Sequence, residues 1–240
     1  MRQLSDGSDR KADRGPPSRG LYGRRRGHRL TARRERLMAE LLPRLRVPPT
    51  PPGMLDPRSL FTMPIREAWL EIGFGAGEHL AWQSARNPEV GLLGAEPFIN
   101  GVATLLAAIE DHGHSNIRIH DGDGRDLVEW LIPASLARVF ILFPDPWPKA
   151  RHHKRRLIED RTVADLARVM TAGAELRIAS DIADFQRWTL EHLIRAGAFE
   201  WLAGRAADWR ERTPDWPATR YEEKAVRAGH RPAYLTFRRL

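Results

Sequence analysis

From Trp69 onward, short apolar runs alternate with longer amphipathic stretches. The runs near 68–73, 91–95, 116–120, 137–143 and 174–180 predict strands. The stretches near 78–86, 98–111, 124–131, 159–171 and 183–196 predict helices. A strand followed by a helix, five times over, predicts an α/β fold with a doubly wound, mostly parallel sheet covered on both faces. Upstream, Leu37, Leu41, Leu42 and Leu45 recur at helical spacing within 31–46, and the proline-rich region from Pro48 to Pro57 ends that helix. Downstream, Trp201 to Trp216 is Trp-rich and broken by proline, and the alternation of Ala233 to Phe237 predicts a last strand. No internal repeat is visible.

Composition narrows the class. At 240 residues and 42% hydrophobic content the chain can bury one α/β core. It has no cysteine, which excludes a disulfide framework, a thiolate zinc site and a cysteine nucleophile. No His/Asp/Glu spacing suggests a metal. The apolar runs are far shorter than the roughly 20 residues that span a bilayer, and the N-terminus lacks an apolar signal segment. A protein of the cytoplasm, with no membrane and no metal, is expected.

The charge is placed unevenly. Residues 1–36 carry 12 Lys/Arg and 4 Asp/Glu, which leaves 27 of each sign in the remaining chain, so the whole net charge of +8 sits at the N-terminal end. Residues 1–28 read as a flexible basic arm that engages a polyanion, and 29–240 as one folded domain. A mitochondrial presequence is the competing reading, opposed by Asp6, Asp9 and Asp13.

Candidate chemistry falls at the predicted strand ends. Glu71-Ile72-Gly73-Phe74-Gly75-Ala76-Gly77 follows the first strand, where a doubly wound sheet binds nucleoside-bearing cofactors. Its glycines recur at i, i+2 and i+4, unlike the G-x-G-x-x-G of dinucleotide enzymes, which suits a cofactor without phosphates such as S-adenosylmethionine. Glu71 could meet that cofactor's ammonium or lie near its sulfonium. The second strand ends at Glu96, an acid able to accept from both ribose hydroxyls. After the third strand stands Asp121-Gly122-Asp123-Gly124-Arg125-Asp126, from which Asp123 is the preferred partner of an adenine amino group, with Asp121 a turn acid and Asp126 a first-turn acid.

The fourth strand runs into Phe143-Pro144-Asp145-Pro146-Trp147-Pro148-Lys149, then Ala150-Arg151-His152-His153-Lys154-Arg155-Arg156. Three prolines end the strand and stiffen the loop. Asp145 can accept from a base edge, Trp147 can stack on a base or pack beneath the loop, and the basic run can neutralise phosphates. A surface turn with a solvated charge run is the plain alternative.

Together with Tyr22-Gly23-Arg24-Arg25, Ser180-Asp181 and Thr219-Arg220-Tyr221-Glu222, these segments resemble the bacterial tRNA (guanine-N7)-methyltransferase family, among the class I S-adenosylmethionine-dependent methyltransferases with a Rossmann-like sheet. The resemblance implies methyl transfer to N7 of a tRNA guanine, in the variable loop. It implies that Glu71, Gly73, Gly75, Glu96, Asp123 and Asp145 line the cofactor site, with Asp145 also catalytic. It assigns Lys149, Asp181, Thr219, Arg220, Tyr221 and Glu222 to the guanine-bearing substrate, and Arg151, His152, His153, Lys154 and Arg155 to RNA. The partner is tRNA, and the enzyme a monomer or homodimer. The family often has alanine at the position of Gly124, and phenylalanine is also common at that of Tyr221.

Individual residues also have ordinary readings. Asp181 could cap a helix from Ile182, Glu222 could pair with Lys224 in solvent, and Thr219 could be a loop hydroxyl. A nicotinamide-dependent dehydrogenase would need a later third glycine and a hydride-transfer acid, and neither stands out. A non-catalytic nucleic-acid-binding protein would leave Glu71, Glu96 and the glycine spacing without purpose.

Overall fold

A computed structural model describes residue 20, residues 22–23 and residues 25–240. Of the expected arm, residues 1–19, 21 and 24 lie outside the described residues.

The strands are β1 (Glu67–Ile72), β2 (Val90–Ala95), β3 (Ile117–His120), β4 (Leu136–Leu142), β5 (Met170–Ser180), β6 (Phe199–Trp201) and β7 (Ala233–Arg239). The helices are α1 (Ala32–Glu40), α2 (Leu42–Leu45), α3 (Glu78–Arg86), α4 (Ile99–His112), α5 (Gly124–Trp130), α6 (Asp160–Val169), α7 (Ala183–Arg195), α8 (Ala207–Arg210) and α9 (Arg220–Arg227). The single helix expected over 31–46 is two, α1 and α2, with Pro43 in the first turn of α2. The Trp-rich stretch holds the edge strand β6 and the short α8, and α9 follows it; none of the three was expected.

One seven-stranded sheet runs β3-β2-β1-β4-β5-β7-β6. β1 to β5 are parallel, and β7 is inserted antiparallel between β5 and β6. β1 and β2 are buried along nearly their whole length, which is why they read as apolar runs rather than alternating ones. Leu70, Ile72, Val139, Ile141 and Ile178 pack one face against Leu127, Val163, Leu166 and Phe185. Trp69, Leu92, Phe140 and Tyr234 pack the other against Leu37, Leu80, Leu105 and Trp216.

The chain winds from β1 outward through β2 and β3, then returns to place β4 on the other side of β1. This reversal opens a crevice at the carboxyl ends of β1, β2 and β4, where a doubly wound sheet takes its ligand.

Part of the N-terminal charge excess is held within the fold. Arg33 pairs with Glu110 at 2.9 Å and Asp111 at 2.5 Å, and Arg36 pairs with Glu110 at 2.6 Å, fastening α1 to α4. The stretch expected to be flexible up to residue 28 also touches the domain. Ile99 N donates to Arg25 O at 3.0 Å, Gly27 N to Asn100 Oδ1 at 2.7 Å, and Asn100 Nδ2 to His28 O at 2.7 Å. The start of α4 therefore holds residues 25–28 across the expected domain boundary.

Candidate active site

A cavity of about 400 Å³ fills the crevice, a volume typical of small-molecule sites. Ile72, Gly73 and Gly75 line it from the end of β1, Glu96 and Phe98 from β2, Asp123 and Arg125 from α5, and Leu142, Asp145 and Trp147 from β4. Tyr22, Arg155, Leu157 and Tyr221 complete the wall.

The glycine loop fits here because it meets backbone. A Cβ on Gly101 of α4 would stand 2.1 Å from the carbonyl oxygen of Gly75, so only glycine lets α4 approach the loop. Glu96 secures the same contact from the side. Its Oε2 accepts from Gly75 N at 2.7 Å and its Oε1 from Phe98 N at 2.9 Å. Each oxygen keeps a further lone pair for a ligand. Burial raises the Glu96 pKa against the opposing pull of the Phe98 and Gly75 donors, and the charges of Asp145 and Glu71 push it the same way as burial.

Glu71 is placed differently from its neighbours. It is buried, it is absent from the cavity wall, and its Oε2 lies 2.8 Å from His79 Nδ1. Of the crowded acids after β3, Asp121 is taken by Arg46 in two bonds of 2.8 Å, while Asp123 faces the cavity. Asp123 also caps α5, accepting from Arg125 N at 3.0 Å, and the Arg125 guanidinium grips its carboxylate at 2.5–3.1 Å. Part of its acceptor capacity is thus occupied by a residue the sequence reading did not single out.

The loop after β4 is stiff and strained. Phe143 and Trp147 have φ of 51° and 43°, a left-handed conformation unusual for side chains of this size, and they bracket Asp145. Phe143 N donates to Ala179 O at 2.8 Å, and Arg156 Nε to Pro146 O at 2.9 Å, pinning the loop at both ends. Arg156, at 1% exposure, also pairs with Asp184, so the last arginine of the basic run is a strut beneath the loop and not a phosphate contact. Loss of surrounding water raises the pKa of the Asp145 carboxyl.

Trp147 is half-buried and lines the cavity. The Arg155 guanidinium sits 5.0 Å over its ring and 4.8 Å over that of Tyr22, and Tyr22 meets Trp147 edge-on at 6.1 Å. Arg155, expected at RNA, is therefore part of the cavity wall, and its buried Nε has no hydrogen bond among the described residues. Lys149, Arg151 and Lys154 are exposed. His152 stands edge-on to Trp147, and partial burial and then the cations Arg155 and Arg151 lower its pKa. His153, half-buried, packs edge-on against Trp188, 5.2 Å between ring centres.

The residues assigned to the guanine-bearing substrate are divided. Tyr221 lines the cavity and packs on Gly75, with the Arg220 guanidinium 5.1 Å over its ring. Thr219 caps α9, its hydroxyl accepting from Glu222 N at 3.3 Å. Glu222 accepts from Arg212 at 3.2 Å and bonds the Tyr234 hydroxyl, whose pKa rises through burial first and this contact second. Asp181 does not cap α7. Ser180 Oγ accepts from Ile182 N instead, and Asp181 binds His230 at 2.6 Å.

Sequence comparison decides the family. A profile described as "Putative methyltransferase" matches residues 66–235. A tRNA (guanine-N(7)-)-methyltransferase of Nitrobacter hamburgensis is 50% identical over 219 residues, covering 91% of this chain and 86% of the relative. One of Ruegeria pomeroyi is 51% identical over 235 residues, covering 93% and 96%. The chain belongs to the tRNA (guanine-N(7)-)-methyltransferase family. Among solved structures, an antibiotic-related methyltransferase superposes with a TM-score of 0.52 at 10% identity, over 73% of this chain and 89% of that one, a likeness of fold. The family's Rossmann-like sheet is the one described above.

The wall suits S-adenosylmethionine. Glu96, with both oxygens oriented by backbone donors, fits a ribose diol, and Ile72, Phe98, Leu142 and Leu157 fit a purine face. Among the described residues no cluster of three or more His, Cys, Asp or Glu could hold a metal, and no helix is long and apolar enough to cross a membrane.

Proposed function

We propose that this chain transfers the methyl group of S-adenosylmethionine to N7 of a guanine in the variable loop of tRNA, giving 7-methylguanosine. The observation that carries the reading is identity of about one half, over nine-tenths of the chain, to relatives named for that reaction. The cavity supports it with acids on its wall after three of the strands, Glu96, Asp123 and Asp145.

S-Adenosylmethionine, when bound, supplies an electrophilic methyl on a sulfonium. Glu96 would hold the ribose hydroxyls, Asp123 the adenine amino group through the lone pairs Arg125 leaves, and Glu71 the ammonium end. Gly73 and Gly75 would let the backbone approach closely. Guanine N7 has an in-plane lone pair and no proton, so attack needs no general base, and alignment is the main task. Alkylation makes the purine cationic, so a carboxylate accepting from N1–H and the 2-amino group binds more tightly as charge develops. Asp145, raised on its strained loop, is assigned that role, with Asp181 the other candidate. Tyr221 and the exposed Lys149 and Arg220 would frame the base, and Arg151 and Lys154 would meet phosphates. Glu222 and Thr219 would act by holding α9 in place. The reaction belongs in the cytoplasm, with residues 1–28 adding affinity for RNA.

The test is a tRNA transcript in which every guanine is 7-deazaguanine. It should bind with unchanged affinity and accept no methyl. Methylation equal to that of ordinary tRNA would overturn the assignment to N7.

A further inference from the structure

Behind the glycine loop lies a row of buried polar side chains of which methyl transfer, as read above, uses only the first. Glu71, His79 and Gln83 are each 2% exposed. His79 Nδ1 is 2.8 Å from Glu71 Oε2, and Gln83 Nε2 is 3.1 Å from His79 Nε2 and 2.9 Å from the carbonyl oxygen of Asp215. The rings of Phe140 and Trp216 close on the imidazole, with centres 4.5 and 5.9 Å away.

Backbone carbonyls fix the direction of every bond in this row. Asn87 Nδ2 donates to Gln83 O at 2.9 Å and to Gln83 Oε1 at 3.1 Å. The Asp215 carbonyl can only accept, so the Gln83 atom facing it is the NH2 group, in agreement with the bond from Asn87. That NH2 also faces His79 Nε2 and offers no lone pair, so Nε2 must accept. The imidazole proton then sits on Nδ1 and is donated to Glu71. Through that bond the imidazole orients the Glu71 carboxylate. The second oxygen, Oε1, carries no hydrogen bond among the described residues. A buried anion with an open lone pair is costly alone and favourable beside a cation.

We propose that His79, locked by Gln83 as the Nδ1–H tautomer, is a positioning residue that keeps Glu71 an oriented acceptor for the ammonium group of the cofactor. This rests on the reading of Glu71 as the acid that meets that ammonium. Gln83 fixes which ring nitrogen donates, because its NH2 group leaves Nε2 only the acceptor role.

The experiment is calorimetric titration of the full chain with S-adenosylhomocysteine, which carries the ammonium, and 5′-methylthioadenosine, which lacks it. His79→Leu should weaken S-adenosylhomocysteine about tenfold, as loss of a hydrogen bond to a charged group does, and leave methylthioadenosine within about twofold. His79→Asn, whose amide can place a donor near Nδ1, should recover S-adenosylhomocysteine to within about threefold of the parent. Equal losses for both ligands, or no loss, in His79→Leu would overturn the proposal. Glu71→Gln separates the two layers. An unchanged ratio of the two affinities in Glu71→Gln removes the underlying reading of Glu71 and the proposal with it. A lowered ratio there, with His79→Leu unaffected, leaves that reading standing and overturns the role of His79 alone.

Discussion

Gly101→Ala should damage the cofactor cavity through backbone contact alone. Alanine in an ordinary helix interior is favoured over glycine by about 1 kcal/mol. Here the new Cβ would stand 2.1 Å from Gly75 O and 3.0 Å from Gly75 C, so the glycine loop and α4 must separate by about 1 Å. Overpacking of that kind costs about 1–3 kcal/mol, enough to outweigh the helical gain. The separation also pulls Gly75 N away from Glu96, a bond of 2.7 Å. Thermal unfolding should show a fall of roughly 2–8 °C, and titration with S-adenosylhomocysteine an affinity loss of about tenfold or more. Gly113→Ala is the matched control. Gly113 caps α4 at a φ of +69° with nothing within 4 Å, so alanine there costs about 1 kcal/mol of conformational strain and spares the ligand. Unchanged cofactor affinity in Gly101→Ala, or equal effects of the two substitutions, would refute the reasoning.

Three further outcomes are expected. Asp145→Ala should keep the fold and S-adenosylhomocysteine binding within about tenfold but lower single-turnover methylation of tRNA by about 100-fold, and unimpaired turnover would remove Asp145 from the chemistry. The hydrogen bond from Arg156 lowers the Asp184 pKa, so this pair's stabilisation is present above the unfolded carboxyl value of about 4 and is lost as pH falls through the lower folded value. Because Asp184 is 47% exposed, Asp184→Asn should cost only about 1–2 kcal/mol at pH 7 in urea unfolding, a difference that shrinks below pH 4. Removing residues 1–19, five Lys/Arg against three Asp, should change tRNA affinity little, whereas removing 1–28 also takes Tyr22 from the cavity wall and Arg24 to Arg26, and should reduce both the salt dependence of RNA binding and cofactor affinity.

The parallel core was legible because buried strands and amphipathic helices leave different periods in the sequence, and the glycine-marked end of β1 falls where its pattern placed it. β6 escaped because three residues, Phe199 to Trp201, are too few to show alternation. α9 escaped because its buried side is almost only Ala225. The acids Glu96, Asp123 and Asp145 could be placed by their position after strands, which is a local signal. What each acid touches is not local. The hold of Arg46 on Asp121, of His230 on Asp181 and of Arg156 on Asp184 joins residues 28 to 75 positions apart, and no spacing announces it. The burial of Arg156 at the end of an evidently basic run shows the same limit, since composition cannot separate a strut from a phosphate contact.

The central claim, methyl transfer to guanine N7 in tRNA, is tested most directly by incubating the purified chain with unmodified tRNA and S-adenosylmethionine labelled in the methyl group, then digesting to nucleosides. Label in 7-methylguanosine alone is the predicted result. Label in any other nucleoside, or none in tRNA that a family relative methylates under the same conditions, would contradict the account.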